Sequence, residues 1–124
     1  MQYSHYIGSY RGILQNGDLV VARIPYSNLE DDKIRPAVVV AVPDGINAVL
    51  AVVTSKYKHD PWRVQISNGD VLYGSLNVSP SWVWTSQLFT AARNVIGEKI
   101  GRLKRCRMDE IRSRIVKLTT RITF

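Results

Sequence analysis

Three short apolar runs, rich in valine and alanine, follow one another in the first half of the chain and restrict its fold more than any other feature. They cover residues 18–25, 35–42 and 48–54. Runs of this length that consist largely of β-branched residues and lie between turn residues are typical of buried strands. We place Pro36 at the start of the second strand, where a missing amide donor is tolerated. The sequence therefore predicts three buried strands in succession.

The rest of the chain predicts further short strands and one terminal helix. Apolar and polar residues alternate over 62–66, and short strands are also expected near 73–76 and 82–85. Residues 96–103 are expected to form one more strand or an extended segment. The segment 68–70, Asn-Gly-Asp, indicates a hairpin turn. Apolar residues then recur with helical spacing at Met108, Ile111, Ile115 and Leu118. We therefore predict a mainly β fold with a C-terminal helix, built as a small, strongly bent β-barrel.

Length and composition fit one folded domain. The chain has 124 residues, of which 45% are hydrophobic and 22% are charged, which argues against disorder. We expect a single domain over 1–124, with 1–13 as an N-terminal extension that packs only partly. The longest apolar run is too short to cross a membrane, no signal peptide opens the chain, and the lone Cys106 can form no internal disulfide. These features predict a soluble protein of a reducing compartment.

The net charge of +7 is concentrated near the C-terminus. Residues 93–124 contain ten lysines and arginines against three acidic residues, whereas residues 1–92 contain seven of each sign. A basic segment of this kind indicates a polyanionic partner, either nucleic acid or an acidic protein. It is equally consistent with a basic helix that is simply solvated. Charge alone does not decide between these interpretations.

Arg35 and Thr54 are the candidate residues for chemistry. A charged residue that begins a buried strand needs a partner, and Glu30 lies five residues earlier in an acidic loop. One interpretation is an ion pair that closes the loop. The other is a guanidinium that binds a scissile phosphate and stabilises its transition state. Thr54 is either an ordinary strand residue or a hydroxyl donor to the same phosphate. The sequence contains no nucleotide-binding loop or metal-binding motif, so we predict no metal and no cofactor.

Several of these residues occur in the order and spacing of a known family. Glu30 and Arg35-Pro36 are followed by the segment Thr54-Ser55-Lys56 and by Ser81, Val83, Gln87, Leu88 and Thr90. In this pattern the chain resembles the MazF/PemK family of toxin endoribonucleases over roughly residues 16–120. The resemblance implies an SH3-like or CcdB-like barrel that works as a homodimer.

The resemblance also implies an activity. Such toxins cut single-stranded mRNA at short motifs, independently of the ribosome and of metal ions, by attack of the 2′-hydroxyl on the adjacent phosphate. In those terms Arg35 and Thr54 hold and polarise the phosphate, and Glu30 orients Arg35 or assists proton transfer. Lys56, Trp84, Ser86 and Gln87 are then candidate RNA-binding residues. A cognate antitoxin would cover the groove with an acidic, otherwise disordered segment, which suits the +7 charge.

One segment departs from the family pattern. The PemK branch often has Val-Arg-x-Asp-Gln, whereas residues 83–87 read Val-Trp-Thr-Ser-Gln, and the family's loop histidine is replaced by Leu29. The chain therefore either uses the arginine–threonine arrangement of the MazF branch or is a weakened or inactive relative. Trp84 is interpreted either as a platform for an unpaired base or as a packing or dimer contact.

We expect a cytoplasmic toxin that cleaves mRNA and inhibits growth. The main alternative is a module that binds nucleic acid or an antitoxin without cleavage. A CcdB-like gyrase inhibitor is a third possibility, but the Trp-Gly-Ile ending expected for that activity is replaced by Ile-Thr-Phe at 122–124.

Overall fold

The apolar runs form strands of one sheet. The computed structural model describes residue 8 and residues 10–24 and 33–120. Within these ranges the strands are β1 (Asp18–Ile24), β2 (Lys33–Ala41), β3 (Ala48–Thr54), β4 (Arg63–Ile66), β5 (Val71–Gly74), β6 (Ser81–Ala91) and β7 (Ile96–Leu103), and the helix is α1 (Arg105–Thr120). No helix in the described ranges is long and apolar enough to cross a membrane.

The seven strands form one curled antiparallel sheet, a half-barrel, in the order β4-β6-β3-β2-β1-β7-β5. The prediction of a mainly β fold with one C-terminal helix is thus confirmed. Strand β3 has the predicted bounds, whereas β2 begins two residues before the predicted start, at Lys33. Pro36 therefore lies inside β2, which corrects the prediction that it opens the strand. Pro36 is accommodated because β2 pairs there only with β1, and pairing with β3 begins at Ala37.

Both faces of the central strands are buried, which explains why their sequences are continuously apolar. One face packs against α1 in a helix-side core that includes Val38, Ala51, Val83 and Ile111. The other face forms an opposite core, whose members include Val20, Ala37, Leu50 and Val52 and which the N-terminal segment covers with Leu14. Successive residues of β2 and β3 therefore alternate between two apolar environments.

The segment that precedes β1 is attached to the sheet by polar contacts. The backbone N–H of Tyr10 donates to the carbonyl of Ile96 over 2.9 Å. Arg93 Nη1 donates to the carbonyl oxygens of Gly12, at 2.5 Å, and Tyr10, at 3.2 Å. Most of the predicted extension, residues 1–7 and 9, lies outside the described residues. Its partial packing, and the single domain over 1–124, therefore stay predictions.

The hairpin predicted at residues 68–70 is wrong. These residues form a short 3-10 turn, after which β5 pairs with β7, whereas β4 pairs with β6. The carboxylate of Asp70 accepts a hydrogen bond from the backbone N–H of Ser67 at 2.9 Å and pairs with Arg107 at 3.3 Å. Burial tends to raise the pKa of Asp70, but these two contacts outweigh it and lower that pKa. The turn is thus fixed by a helix residue and carries the chain from one edge of the sheet to the other.

A buried carboxylate joins the start of β1 to β7. Asp18 is 0% exposed, and its oxygens lie 2.8 Å from Arg102 Nε and 3.1 Å from Lys99 Nζ. The backbone N–H of Gln15 donates to the same carboxylate at 2.7 Å. The hydrogen bond to Asp18 raises the pKa of Arg102. Part of the basic C-terminal segment is therefore used inside the fold rather than offered to a partner.

Candidate nucleic-acid interface

Arg35 and Thr54 lie on one face at one end of two neighbouring strands. The last pair between β2 and β3 is Ala37 with Val52, whose side chains both belong to the opposite core. Arg35 lies two residues before Ala37, and Thr54 lies two residues after Val52. Because side chains alternate along a strand, Arg35 and Thr54 point to the same face as that pair. They flank the place where the ladder between β2 and β3 stops.

The hydroxyl oxygen of Thr54 already accepts a hydrogen bond within the protein. Thr54 is 8% exposed, and its Oγ1 accepts a hydrogen bond from the backbone N–H of Lys56 at 3.2 Å. A threonine hydroxyl has one proton to donate. With the N–H of Lys56 directed at the oxygen, that proton is available to an acceptor in front of the strand ends, such as a phosphate oxygen. The side chain of Lys56 is exposed beside it.

Glu30 lies outside the described residues. Its pairing with Arg35 and its part in proton transfer therefore stay predictions.

Two tryptophans continue this face onto β6. The register pairs Trp82 with Thr54 and Trp84 with Val52, and cross-strand partners share a face of the sheet. On the other side of β6, Arg63 of β4 pairs with Trp84. We call the surface formed by Arg35, Thr54, Trp82, Trp84 and Arg63 the candidate site.

Arg63 covers one face of Trp84. Its Cζ lies 4.2 Å from the centroid of the Trp84 ring, which is a cation–π contact. The side chain of Arg63 is only 4% exposed, and that of Trp84 is half-buried. A base can therefore stack on Trp84 only from its other face. The two interpretations of Trp84, stacking platform or packing contact, both stay open predictions.

Ser86 and Gln87 lie on a bulge of β6. The pairing with β3 passes from Trp84 opposite Val52 directly to Leu88 opposite Ala51, so residues 85–87 face no β3 residue. The backbone N–H and the hydroxyl of Thr85 instead donate to the carbonyl of Trp62, at 2.8 Å and 2.5 Å. Bulges of this kind redirect side chains next to functional sites. The structure thus places Ser86 and Gln87 next to Trp84, and their contact with RNA stays a prediction.

Within the described ranges, no group of three or more histidine, cysteine, aspartate or glutamate side chains is arranged to hold a metal ion. The candidate site offers the guanidinium groups of its arginines and the hydroxyl of Thr54, and the adjacent Lys56 adds an exposed ammonium group.

A family model decides what kind of protein this is. The model for the PemK-like, MazF-like toxin of type II toxin–antitoxin system matches residues 15–119. That range contains all seven strands and all but the last residue of α1. The chain belongs to the PemK-like, MazF-like toxin family. The resemblance stated from Glu30, Arg35-Pro36 and Thr54 is therefore confirmed at the level of the family.

Solved structures of MazF toxins have the same fold. The Mycobacterium tuberculosis toxin MazF-mt6 is 17% identical, with a TM-score of 0.64 over 86% of this chain and 99% of that chain. MazF (Form-I) from Deinococcus radiodurans is 21% identical, with a TM-score of 0.68 over 89% and 99%. An endoribonuclease in complex with its cognate antitoxin from Mycobacterial species is 14% identical, with a TM-score of 0.64 over 90% and 99%. No curated protein matches the chain. At these identities the likeness establishes the MazF fold alone.

Two residues of this MazF-like chain, Arg63 and Tyr57, were not predicted from the sequence as site residues. Arg63 occupies a polar position in the alternating segment 62–66, where a charged residue is ordinarily expected to face solvent. Its position opposite Trp84 became evident only from the register between β4 and β6. Tyr57, which contacts Trp82, follows Lys56 in a segment read only as a loop.

Proposed function

We propose that this chain is the endoribonuclease toxin of a toxin–antitoxin pair and that it cleaves single-stranded mRNA at the candidate site. The observation that carries the proposal is the placement of Arg35 and Thr54 on one face, where β2 and β3 stop pairing. The exposed side chain of Lys56 adds positive charge beside them. A guanidinium and a hydroxyl donor at such an opening suit a phosphate that gains negative charge during the reaction.

In the proposed reaction, the 2′-hydroxyl oxygen of one nucleotide attacks the adjacent phosphorus and the bond to the 5′-oxygen of the next nucleotide breaks. Arg35 holds two phosphate oxygens and stabilises their added charge, while the Thr54 hydroxyl donates to a phosphate oxygen. Glu30 either accepts the proton of the 2′-hydroxyl or orients Arg35 while that proton passes to water, and the departing 5′-oxygen takes a proton from water. The products are a 2′,3′-cyclic phosphate and a 5′-hydroxyl.

This mechanism requires no metal ion, because Arg35 and Thr54 supply the charge stabilisation. We therefore expect the purified protein to cleave a long mRNA in the presence of excess EDTA. Primer extension on the products should reveal recurrent cut sites. Cleavage that appears only after Mg²⁺ is added would contradict the mechanism. If several long RNAs stay intact, the module that binds without cleaving becomes the better interpretation.

We also propose that the toxin forms a homodimer in the cytoplasm and that an acidic antitoxin neutralises it. An apolar groove of about 200 Å³ lies between α1 and the sheet, and its lining includes Val40, Val49, Leu88 and Ile115. Next to Ile115 on α1, Val116 is exposed. Apolar surface of this kind is consistent with a partner surface on a second copy.

The homodimer predicts a particular mass. Light scattering at micromolar concentration should give twice the 14.0 kDa of one chain. A charged substitution in the groove, Ile115→Glu, should shift the mass toward the monomer, whereas Lys117→Glu, on the same helix but outside the groove, should not. A monomer mass for the unmodified protein would contradict the homodimer.

A further inference from the structure

The loop between β3 and β4, residues 55–62, presents a basic and aromatic tip directly after Thr54. Its residues from Ser55 to His59 are exposed. Lys56 and Lys58 form no ion pair with any residue in the described part of the chain. Tyr57, between them, is 64% exposed. An exposed aromatic ring between two available cations is the combination that binds single-stranded nucleic acid, through stacking and phosphate contacts.

The loop is held to the sheet by Arg63. Arg63 Nη1 donates to the carbonyl of Lys56 at 2.9 Å, and its Nε lies 3.6 Å from the carboxylate of Asp60. The guanidinium lies against the Trp84 ring, and the side chain is almost completely buried. At the far end of the loop, Arg114 of α1 donates to the carbonyl of Pro61. The backbone of the loop is thus tied at both ends by arginines, so the exposure of Tyr57 is not a result of a loose segment.

Tyr57 stands close to the position proposed for the phosphate. Its ring centroid lies 5.6 Å from that of Trp82, with an interplanar angle of 64°, which is an edge-to-face contact. Trp82 is the cross-strand partner of Thr54. Tyr57 therefore packs on the residue next to Thr54 while most of its own surface remains in solvent. By contrast, Trp84 has one face covered by Arg63.

We propose that Tyr57 is the base-stacking residue of this site, supported by Trp82 and positioned through the loop by Arg63. It would stack on an unpaired base next to the phosphate at Arg35 and Thr54, and Lys56 and Lys58 would contact the neighbouring phosphates. This inference rests on the proposed endoribonuclease function, which it makes more specific.

Binding to a non-cleavable RNA tests the role of Tyr57. The probe is a fluorescein-labelled single-stranded RNA that contains a mapped cut site with 2′-deoxyribose at the attacked nucleotide, and the readout is anisotropy. Tyr57→Ala should weaken binding by about 5- to 150-fold, the loss expected for one stacked base. Tyr57→Phe should bind nearly as well as the unmodified protein, because it keeps the ring. Thermal melting should show both variants to be as stable as the unmodified protein.

Tyr73→Ala is the matched control. Tyr73 is 48% exposed on β5, the edge strand opposite to β4 in the sheet, so its removal should leave RNA binding unchanged. If the unmodified protein cleaves RNA and Tyr57→Ala binds the probe normally, the inference is overturned while the proposed function stands. If the unmodified protein neither binds nor cleaves RNA, both are overturned.

The salt dependence of binding tests the lysines. Lys56→Ala and Lys58→Ala should each reduce the slope of log Kd against log salt by about 0.7, as expected for one phosphate contact to a single strand. Arg105→Ala removes an exposed cation at the start of α1 and should leave the slope unchanged. An unchanged slope in both lysine variants would overturn the assignment of phosphate contacts to this loop.

A double-mutant cycle tests Arg63 as a positioning residue. Arg63→Gln releases the carbonyl of Lys56 and should weaken binding of the probe. In a protein that already carries Tyr57→Ala, the same substitution should reduce the affinity for the probe only slightly further. Arg63→Lys, which cannot reproduce the planar fork, should resemble Arg63→Gln. Additive losses would show that Arg63 does not act through Tyr57. Because Arg63 is buried, each variant is compared at a temperature well below its own melting point.

Discussion

Arg35→Ala is expected to reduce the rate of RNA cleavage by about 10²- to 10³-fold and to abolish growth inhibition, while the fold stays intact. This corresponds to a loss of about 2.7–4 kcal/mol of transition-state stabilisation, the effect of removing one preorganised donor to developing negative charge. Arg35 is suited to this role because it lies where β2 no longer pairs with β3, on the face that also carries Thr54. Single-turnover cleavage of an RNA with a mapped cut site provides the measurement.

Two further variants separate charge from geometry. Arg35→Lys keeps the charge but cannot bind two phosphate oxygens with one planar group, so this variant should also cleave RNA slowly. Arg105→Ala removes the same charge from the exposed start of α1 and should cleave normally. If Arg35→Ala loses its secondary structure by circular dichroism, Arg35 acts as a structural ion-pair member, which was the other interpretation of its position. If the variant cleaves at the normal rate, the assignment of Arg35 is wrong.

Asp18→Ala is expected to lower the free energy of unfolding by about 3 kcal/mol, the low end of the range for breaking a buried ion pair. The carboxylate is completely buried and contacts Arg102, Lys99 and the N–H of Gln15. The low end applies because the side chains of Lys99 and Arg102 are 16% and 30% exposed and can turn partly toward water. Urea unfolding followed by circular dichroism measures the change.

Asp109→Ala is the control for that measurement. Asp109 pairs with Arg112 on the surface of α1 at 3.1 Å, where both side chains are more than half exposed. Exposed pairs contribute little, so this variant should unfold almost as the unmodified protein does. Equal stability of the two variants would show that the buried cluster does not hold β1 to β7. Cleavage by the folded fraction of Asp18→Ala should be unaffected, because Asp18 is not part of the candidate site.

The strands were the most predictable part of this fold. β1, β2 and β3 are buried on both faces, so their sequences are apolar at successive positions and stand out from their surroundings. The end of β3 at Thr54 was predicted correctly, and this matters because Thr54 belongs to the candidate site. Local sequence was sufficient here because the runs are short, rich in β-branched residues and bounded by turn residues.

Strand pairing was less predictable, because contacts distant in sequence decide it. Residues 68–70 have the composition of a hairpin turn, yet Arg107 binds Asp70 and β5 pairs with the distant β7. β6 extends well beyond the predicted 82–85, because a bulge lets it pair with β3 on both sides of residues 85–87. The family pattern located Arg35 and Thr54. By contrast, Arg63 depended on the register between β4 and β6, and Tyr57 on its contact with Trp82.

Charge was the least informative signal. The sequence places ten cations in residues 93–124, but Lys99 and Arg102 neutralise Asp18, Arg107 binds Asp70, and Arg93 holds the N-terminal segment. By contrast, Lys56 and Lys58 belong to the part of the sequence with no net charge, and both are exposed next to the candidate site. A count of charges does not distinguish cations used within the fold from those available to a partner.

The two edge strands of the sheet restrict the ways in which copies of this toxin could associate. β4 and β5 are only four residues long. Short edges offer few unpaired backbone groups, so they give little opportunity for a second chain to extend the sheet or for copies to aggregate edge to edge. Association through the apolar groove beside α1 would instead use side chains. Association of that kind depends on complementary shape, and it can therefore be specific to copies of the same sequence.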